Sequence, residues 1–218
     1  SVLAEATSDE PMIKAINGPE FRHQENAFED FRREFLLPRR LSREGPALAR
    51  ADVNGDGAED LYLGGAAGQN GTLFIQQNGQ MRASTGPWSQ HAAQEDVSAA
   101  FFDADGDGDM DLAVGSGGNW LRGQRAAYRS RLYLNDGDGT FSEGSKRLKG
   151  LPETTDPAGV ILPLDFDGDG DMDLFLGSRT RSGSYPLSPI SYLLRNEGGQ
   201  FELAWSGEDR KSTRLNSS

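Results

Sequence analysis

The residues whose types and spacing could do chemistry are aspartates. Three stretches repeat one frame: DVNGDGAEDLYLGG from residue 52, DADGDGDMDLAVGS from 103 and DFDGDGDMDLFLGS from 165. Counted from the first aspartate, side-chain oxygens fall at positions 1, 3, 5 and 9, with glycine at position 6. In the second loop these are Asp103, Asp105, Asp107 and Asp111 around Gly108, and Asp109 stands at position 7. Alternate oxygen donors let a curled backbone wrap one hard cation, the glycine permits the sharp turn, and position 7 offers its carbonyl. The first loop supplies Asp52, Asn54, Asp56, the carbonyl of Ala58 and Asp60. The third supplies Asp165, Asp167, Asp169, the carbonyl of Asp171 and Asp173. Starting the second loop at Asp105 would put Met110 where glycine is wanted, so the frame admits one register.

The chemistry this pattern predicts is cation binding, with calcium as the expected cofactor, one ion per loop. A flexible cage of protein oxygens suits calcium better than magnesium. So many carboxylates within a few ångströms would repel one another without a cation, which argues against bare Asp-Gly turns. An EF-hand is excluded on two counts. Its bidentate glutamate at position 12 is replaced by Leu63, Val114 and Leu176, and a strand-like run follows each loop instead of a helix.

Other chemistries find little support. The absence of cysteine excludes disulfides, zinc–thiolate sites and thiol catalysis. His23 and His91 are the only histidines, and neither has a nucleophile or second carboxylate at a recognisable spacing. No enzyme is therefore expected in this chain. Gly115-Ser116-Gly117-Gly118 lacks the Lys-Ser/Thr of a phosphate loop. The net charge of −12 disfavours nucleic acid as a partner, and most of it resides in the three loops. The mean hydropathy of −0.62 and the lack of a long apolar run predict no transmembrane helix.

The elements that must position the loops recur with them. Each loop follows a short apolar run, ALARA (47–51), VSAAFF (97–102) or GVILPL (159–164), and leads into a strand-like run ending in glycine. Each repeat then closes with a hairpin: TLFIQQNGQM (72–81), RLYLNDGDGTF (131–141) and YLLRNEGGQF (192–201). Four antiparallel strands in about 50 residues make a propeller blade. The fold expected is all-β: a partial β-propeller of three four-stranded antiparallel blades, with calcium loops between first and second strands. The blades span about 45–92, 93–150 and 151–205. A Greek-key sandwich would explain the strands but not the matching acidic loops.

Residues 1–44 are expected either to lend a strand to a neighbouring blade or, through Phe28, Phe31 and Phe35, to form a short helix against the ring. Residues 206–218 are expected to be a non-native tail, because DRKSTRLNSS at 209–218 reads like a translated sequencing adapter. The chain is expected to be a fragment of a longer parent protein.

The loop D-x-[DN]-x-D-G-x-x-D followed by a strand resembles the FG-GAP repeats of integrin α-subunit propellers and the bacterial VCBS-type repeats. LYLNDGDGTF at 132–141 is similar to the latter. FRHQENAFEDFRREFLLPRRLSREGP at 21–46 resembles bacterial relatives of the cartilage acidic protein family, which are associated with ASPIC/UnbV-type modules. The first loop departs slightly, with Asn54 for Asp. The resemblance implies an extracellular, cell-surface or periplasmic scaffold for adhesion or for binding protein or carbohydrate, non-catalytic in this segment. The alternatives are an ancillary propeller of a larger secreted enzyme acting on polysaccharide, and a purely structural spacer.

In an up-and-down blade the second connections lie opposite the metal loops. Here these are 66–71, 117–130 and 179–190. The middle one carries Trp120, Arg122, Arg125 and Tyr128, side chains of the kind favoured at contacts, and they are the expected ligand-binding residues.

Overall fold

The computed structural model describes residues 18–208, and what was expected of 1–17 and of the tail at 209–218 lies outside them. Twelve strands form three sheets. Blade 1 holds β1 (Leu48–Ala51), β2 (Asp60–Leu63), β3 (Thr72–Gln77) and β4 (Gln80–Ser84). Blade 2 holds β5 (Asp96–Phe102), β6 (Asp111–Ser116), β7 (Arg131–Asn135) and β8 (Phe141–Glu143). Blade 3 holds β9 (Ala158–Leu164), β10 (Asp173–Ser178), β11 (Ile190–Asn196) and β12 (Phe201–Glu208). In every sheet the strands pair antiparallel in chain order. The fold is the expected partial propeller. β12 pairs with β11 out to Glu208, so residues 206–208 belong to blade 3 and the expected boundary at 205 falls too early.

Local sequence explains the elements. Asn78 and Gly79 close the β3–β4 hairpin with φ of 51° and 75°, the left-handed pair that a type I′ turn requires. Strand β6, Asp111–Ser116, is buried along its whole length, because blades 1 and 3 cover its two faces.

Blades stack through equivalent rows of side chains. The row Ala49–Tyr62–Leu73 of blade 1 packs on Leu112, Val114, Tyr133 and Phe141 of blade 2, with Trp88 between them. The row Ala100–Ala113–Leu132 of blade 2 packs on Ile161, Leu176, Tyr192 and Leu194 of blade 3. In blade 3 the corresponding row is Leu162–Phe175–Leu193–Trp205. Its ends, Leu162 and Trp205, are each 50% exposed.

Residues 18–44, the described part of the N-terminal segment, show neither the expected strand nor the expected helix. Among its described residues it forms no strand and only one 3₁₀ turn, Asp30–Arg32. Phe35 is 81% exposed and Phe31 39%, so the phenylalanine spacing makes no buried helical face. Polar groups fasten the segment instead. It crosses the second connections of all three blades as a strap. Gln24 N–H donates to Gln69 Oε1, Asn26 Nδ2 to Glu95 Oε2, and Arg33 to Ser182 Oγ and the carbonyls of Asn119 and Trp120. Asp30 is fully buried and accepts from Ser42 N–H, Ser42 Oγ and Asn119 Nδ2.

Burial corrects part of the ligand-binding expectation. Tyr128 is completely buried, its hydroxyl bonded to the Leu121 backbone and its ring edge-on to Trp120 at 5.5 Å. It is a packing residue. Trp120 is half-buried, while Arg122 and Arg125 remain exposed.

Candidate metal centres

Each acidic loop joins the first strand of a blade to the second, and its last aspartate begins that second strand. Asp60, Asp111 and Asp173 are fully buried at the heads of β2, β6 and β10. Each carboxylate accepts two backbone N–H groups. Asp60 takes those of Val53 and Gln76, Asp111 those of Ala104 and Asn135, and Asp173 those of Phe166 and Asn196, at 2.7–3.1 Å. One donor sits at loop position 2 and the other on the third strand, so this aspartate ties the loop to its own hairpin.

The first aspartate curls the loop. Asp103 accepts from the N–H groups of Gly106 and Gly108, and Asp165 from those of Gly168 and Gly170. Asp52 does the same with Asp56 and Gly57. The hydrogen bond from Gly57 leads the causes that lower the Asp52 carboxyl below its ordinary range. Position-6 glycines Gly57, Gly108 and Gly170 have φ between 84° and 100°, which the turn demands and other residues rarely adopt.

The result is a convergence of carboxylate oxygens. One oxygen from each of Asp103, Asp105 and Asp111 lies within 4.8 Å of the others, and so do those of Asp165, Asp167 and Asp173. Burial, followed by repulsion from Asp105 and Asp107, pushes the Asp111 carboxyl up to about 6. Burial and Asp107 likewise raise Asp105, with Arg147 at 3.2 Å as a partial counterion. Asp60 is raised by burial and, more weakly, by Asp56 and Asp52. An all-oxygen, anionic donor set held by a preformed backbone curl fits a hard divalent cation.

Not every expected ligand joins these triads. Asp107 and Asp169 at position 5 stand outside them, each with one oxygen taken by the N–H at position 7. Asp56 is engaged in the same way by Ala58. At position 7, Asp109 packs against Gly137, and Asp171 accepts from Gly198 N–H at 3.3 Å. The first loop has only Asp52 and Asp60 as carboxylates of its would-be triad, with Asn54 as the third oxygen donor.

The FG-GAP-like repeat family matches residues 52–114 and 120–176, more than half of the chain. The chain belongs to the FG-GAP-like repeat family. The first matched segment begins at Asp52, and both segments end in the strand that follows an acidic loop, so the family's repeat runs from one blade into the next. No curated protein sequence matches the chain significantly.

Residues missed by sequence reasoning are Asn135 and Asn196, the last residues of β7 and β11. Asn135 Nδ2 donates to the Val53 carbonyl in the first loop at 2.7 Å, and Asn196 Nδ2 to the Ala104 carbonyl in the second at 3.0 Å. Their recurrence in LYLND and LLRNE was the available signal.

The two histidines have structural surroundings. His91 Nδ1 meets the buried Tyr133 hydroxyl at 2.9 Å, and His23 Nε2 lies 3.1 Å from Glu25 Oε1. Among the described residues no helix is long and apolar enough to cross a membrane.

Proposed function

We propose that this FG-GAP-like β-propeller segment is a calcium-stabilised, extracytoplasmic binding scaffold without chemistry of its own. The observation that carries the reading is the pair of carboxylate triads, Asp103–Asp105–Asp111 and Asp165–Asp167–Asp173. The cation would be held by Asp103, Asp105, Asp107, the Asp109 carbonyl and Asp111 in the second loop. Its counterparts would be Asp165, Asp167, Asp169, the Asp171 carbonyl and Asp173 in the third, and Asp52, Asn54, Asp56, the Ala58 carbonyl and Asp60 in the first. Calcium supplies charge neutralisation there and no reactive group.

If these loops bind at the roughly 10⁻⁴–10⁻³ M of extracellular calcium modules, they would fill only where free calcium is millimolar. That supports a location outside the cytoplasm. In this reading a protein or glycan partner meets the exposed Arg122 and Arg125 beside Trp120, on the face away from the metal loops. The test is calcium stoichiometry by calorimetric titration with metal analysis of the dialysed protein. Three ions are expected for wild type and two for Asp107→Ala. No calcium uptake at millimolar concentration would overturn the reading.

A further inference from the structure

Hydrogen bonds from two buried asparagines link neighbouring acidic loops. Asn135 is 6% exposed and Asn196 2%, and each spends its polar groups on two different loops. The backbone N–H of Asn135 donates to Asp111 Oδ1 in the second loop at 2.8 Å, and its Nδ2 donates to Val53 O in the first at 2.7 Å. The backbone N–H of Asn196 donates to Asp173 Oδ1 in the third loop at 2.8 Å, and its Nδ2 to Ala104 O in the second at 3.0 Å. The two receiving carbonyls sit at position 2, between the first two expected ligands.

Each amide is itself locked. Asn135 Oδ1 accepts Gly139 N–H and Asn196 Oδ1 accepts Gly199 N–H, so neither side chain can flip without breaking its own hairpin turn. Those turns lie beside the same neighbouring loops. A Cβ on Gly199 would come within 2.8 Å of Asp105 Cβ, and one on Gly139 within 3.6 Å of Asn54 Cβ. Both neighbours occupy position 3. Arg147 adds a second tie at one junction, bonding the Gly199 carbonyl and Asp105 together.

We propose that Asn135 and Asn196 couple adjacent metal loops, so that an ion in one loop raises the affinity of the next. This rests on the calcium reading above. Ordering of the third loop fixes Asp173, which fixes Asn196, which in turn fixes the Ala104 carbonyl and the second loop around it. An ion entering the second loop then has less ordering to do, and coupling of this kind is reciprocal. The first and third loops share no asparagine, so their influence on each other passes through the second. Asn135 and Asn196 are positioning residues, and an amide is required because the same side chain must donate to one blade and accept from its own.

The experiment is a calcium titration of the full chain followed by NMR at the amides of Gly57, Gly108 and Gly170, one in each loop. Asp169→Asn, an exposed lesion in the third loop, is expected to raise the calcium midpoint at Gly108 by about 5-fold or more. The midpoint at Gly57 should move by less than about 2-fold. In an Asn196→Leu background the same lesion should shift Gly108 by less than about 2-fold. An unmoved Gly108 midpoint in the first comparison, or an undiminished shift in the second, overturns the coupling. Should Asn196→Leu fail to fold, Asp56→Asn with Asn135 intact tests the other junction: Gly108 must shift and Gly170 must stay within about 2-fold. If none of the three glycines responds to calcium, the calcium reading itself fails and the coupling with it.

Discussion

The Arg131 guanidinium on β7 donates to Asp96 Oδ1 at the start of β5, and both side chains are almost wholly buried. Asp96 also accepts from the Tyr62 hydroxyl of blade 1 at 2.9 Å and from Gly65 N–H, while Arg131 reaches the Tyr133 hydroxyl at 3.1 Å. The pair thus sits in the seam between blades 1 and 2. Removing one partner of a buried pair strands the other charge, at a cost of about 3–5 kcal/mol. Arg131→Met is therefore expected to lower Tm by roughly 10 °C, at about 2–4 °C per kcal/mol for a chain of this size. Adding Asp96→Asn should restore part of that loss. A double variant melting no higher than Arg131→Met would show that lost packing, and not the stranded carboxylate, sets the cost.

The strap should be separable from the blades. Asp30→Ala leaves Ser42 N–H, Ser42 Oγ and Asn119 Nδ2 without their common acceptor, and each unsatisfied buried group costs about 1–3 kcal/mol. Trypsin should then cut at Arg32, Arg39, Arg40 or Arg43 at least about 10-fold faster, with the blades still folded. Unchanged cleavage would mean that Arg33, Glu34 and Asn26 hold the segment unaided.

The acidic loops and hairpins were legible in the sequence because their determinants are local. The spacing Asp-x-Asp-x-Asp-Gly and the pair Asn78-Gly79 state their backbone geometry within a few residues. What stayed illegible depends on distant partners. The anchor of Asp30 is Asn119, 89 residues on, while the local phenylalanine spacing points to a face that the structure leaves largely outside. The amide of Asn135 reaches Val53 across 82 residues. Tyr128 resembles a contact residue by composition, yet its hydroxyl is bonded to the Leu121 backbone beneath the loop surface.

Stability should fall with rising pH through Glu95. This side chain is completely buried and receives Asn26 Nδ2 on one oxygen. Burial, then the nearby Glu25, pushes its carboxyl from the ordinary 4.5 up to about 8. Between those values the folded chain keeps a proton that the unfolded chain has released. The stabilisation is complete below about 4.5 and is lost as pH rises through about 8. Glu95→Gln keeps an acceptor for Asn26 and never ionises. It should melt several degrees above wild type at pH 8.5, with the gap closing near pH 5. A constant offset across that range would assign the effect to packing.

Calcium should act on stability. Without a cation, burial and then repulsion from Asp105 and Asp107 raise the Asp111 carboxyl, so the second loop gains from neutralisation of its charge. At ten times Kd, one site adds about 1.4 kcal/mol through mass action. Three sites would add about 4 kcal/mol, a large share of a typical 5–15 kcal/mol. Chelation is therefore expected to lower Tm by about 10 °C. Millimolar calcium should restore it better than magnesium, whose demand for near-octahedral geometry suits these loops poorly. Asp107→Ala and Asp169→Ala should each remove a larger part of the shift than Asp52→Ala. The loop with Asn54 carries less charge and gains least from a cation. Calorimetric scans with chelator and then with calcium decide the matter, and superimposable curves would remove calcium from the account of this fold.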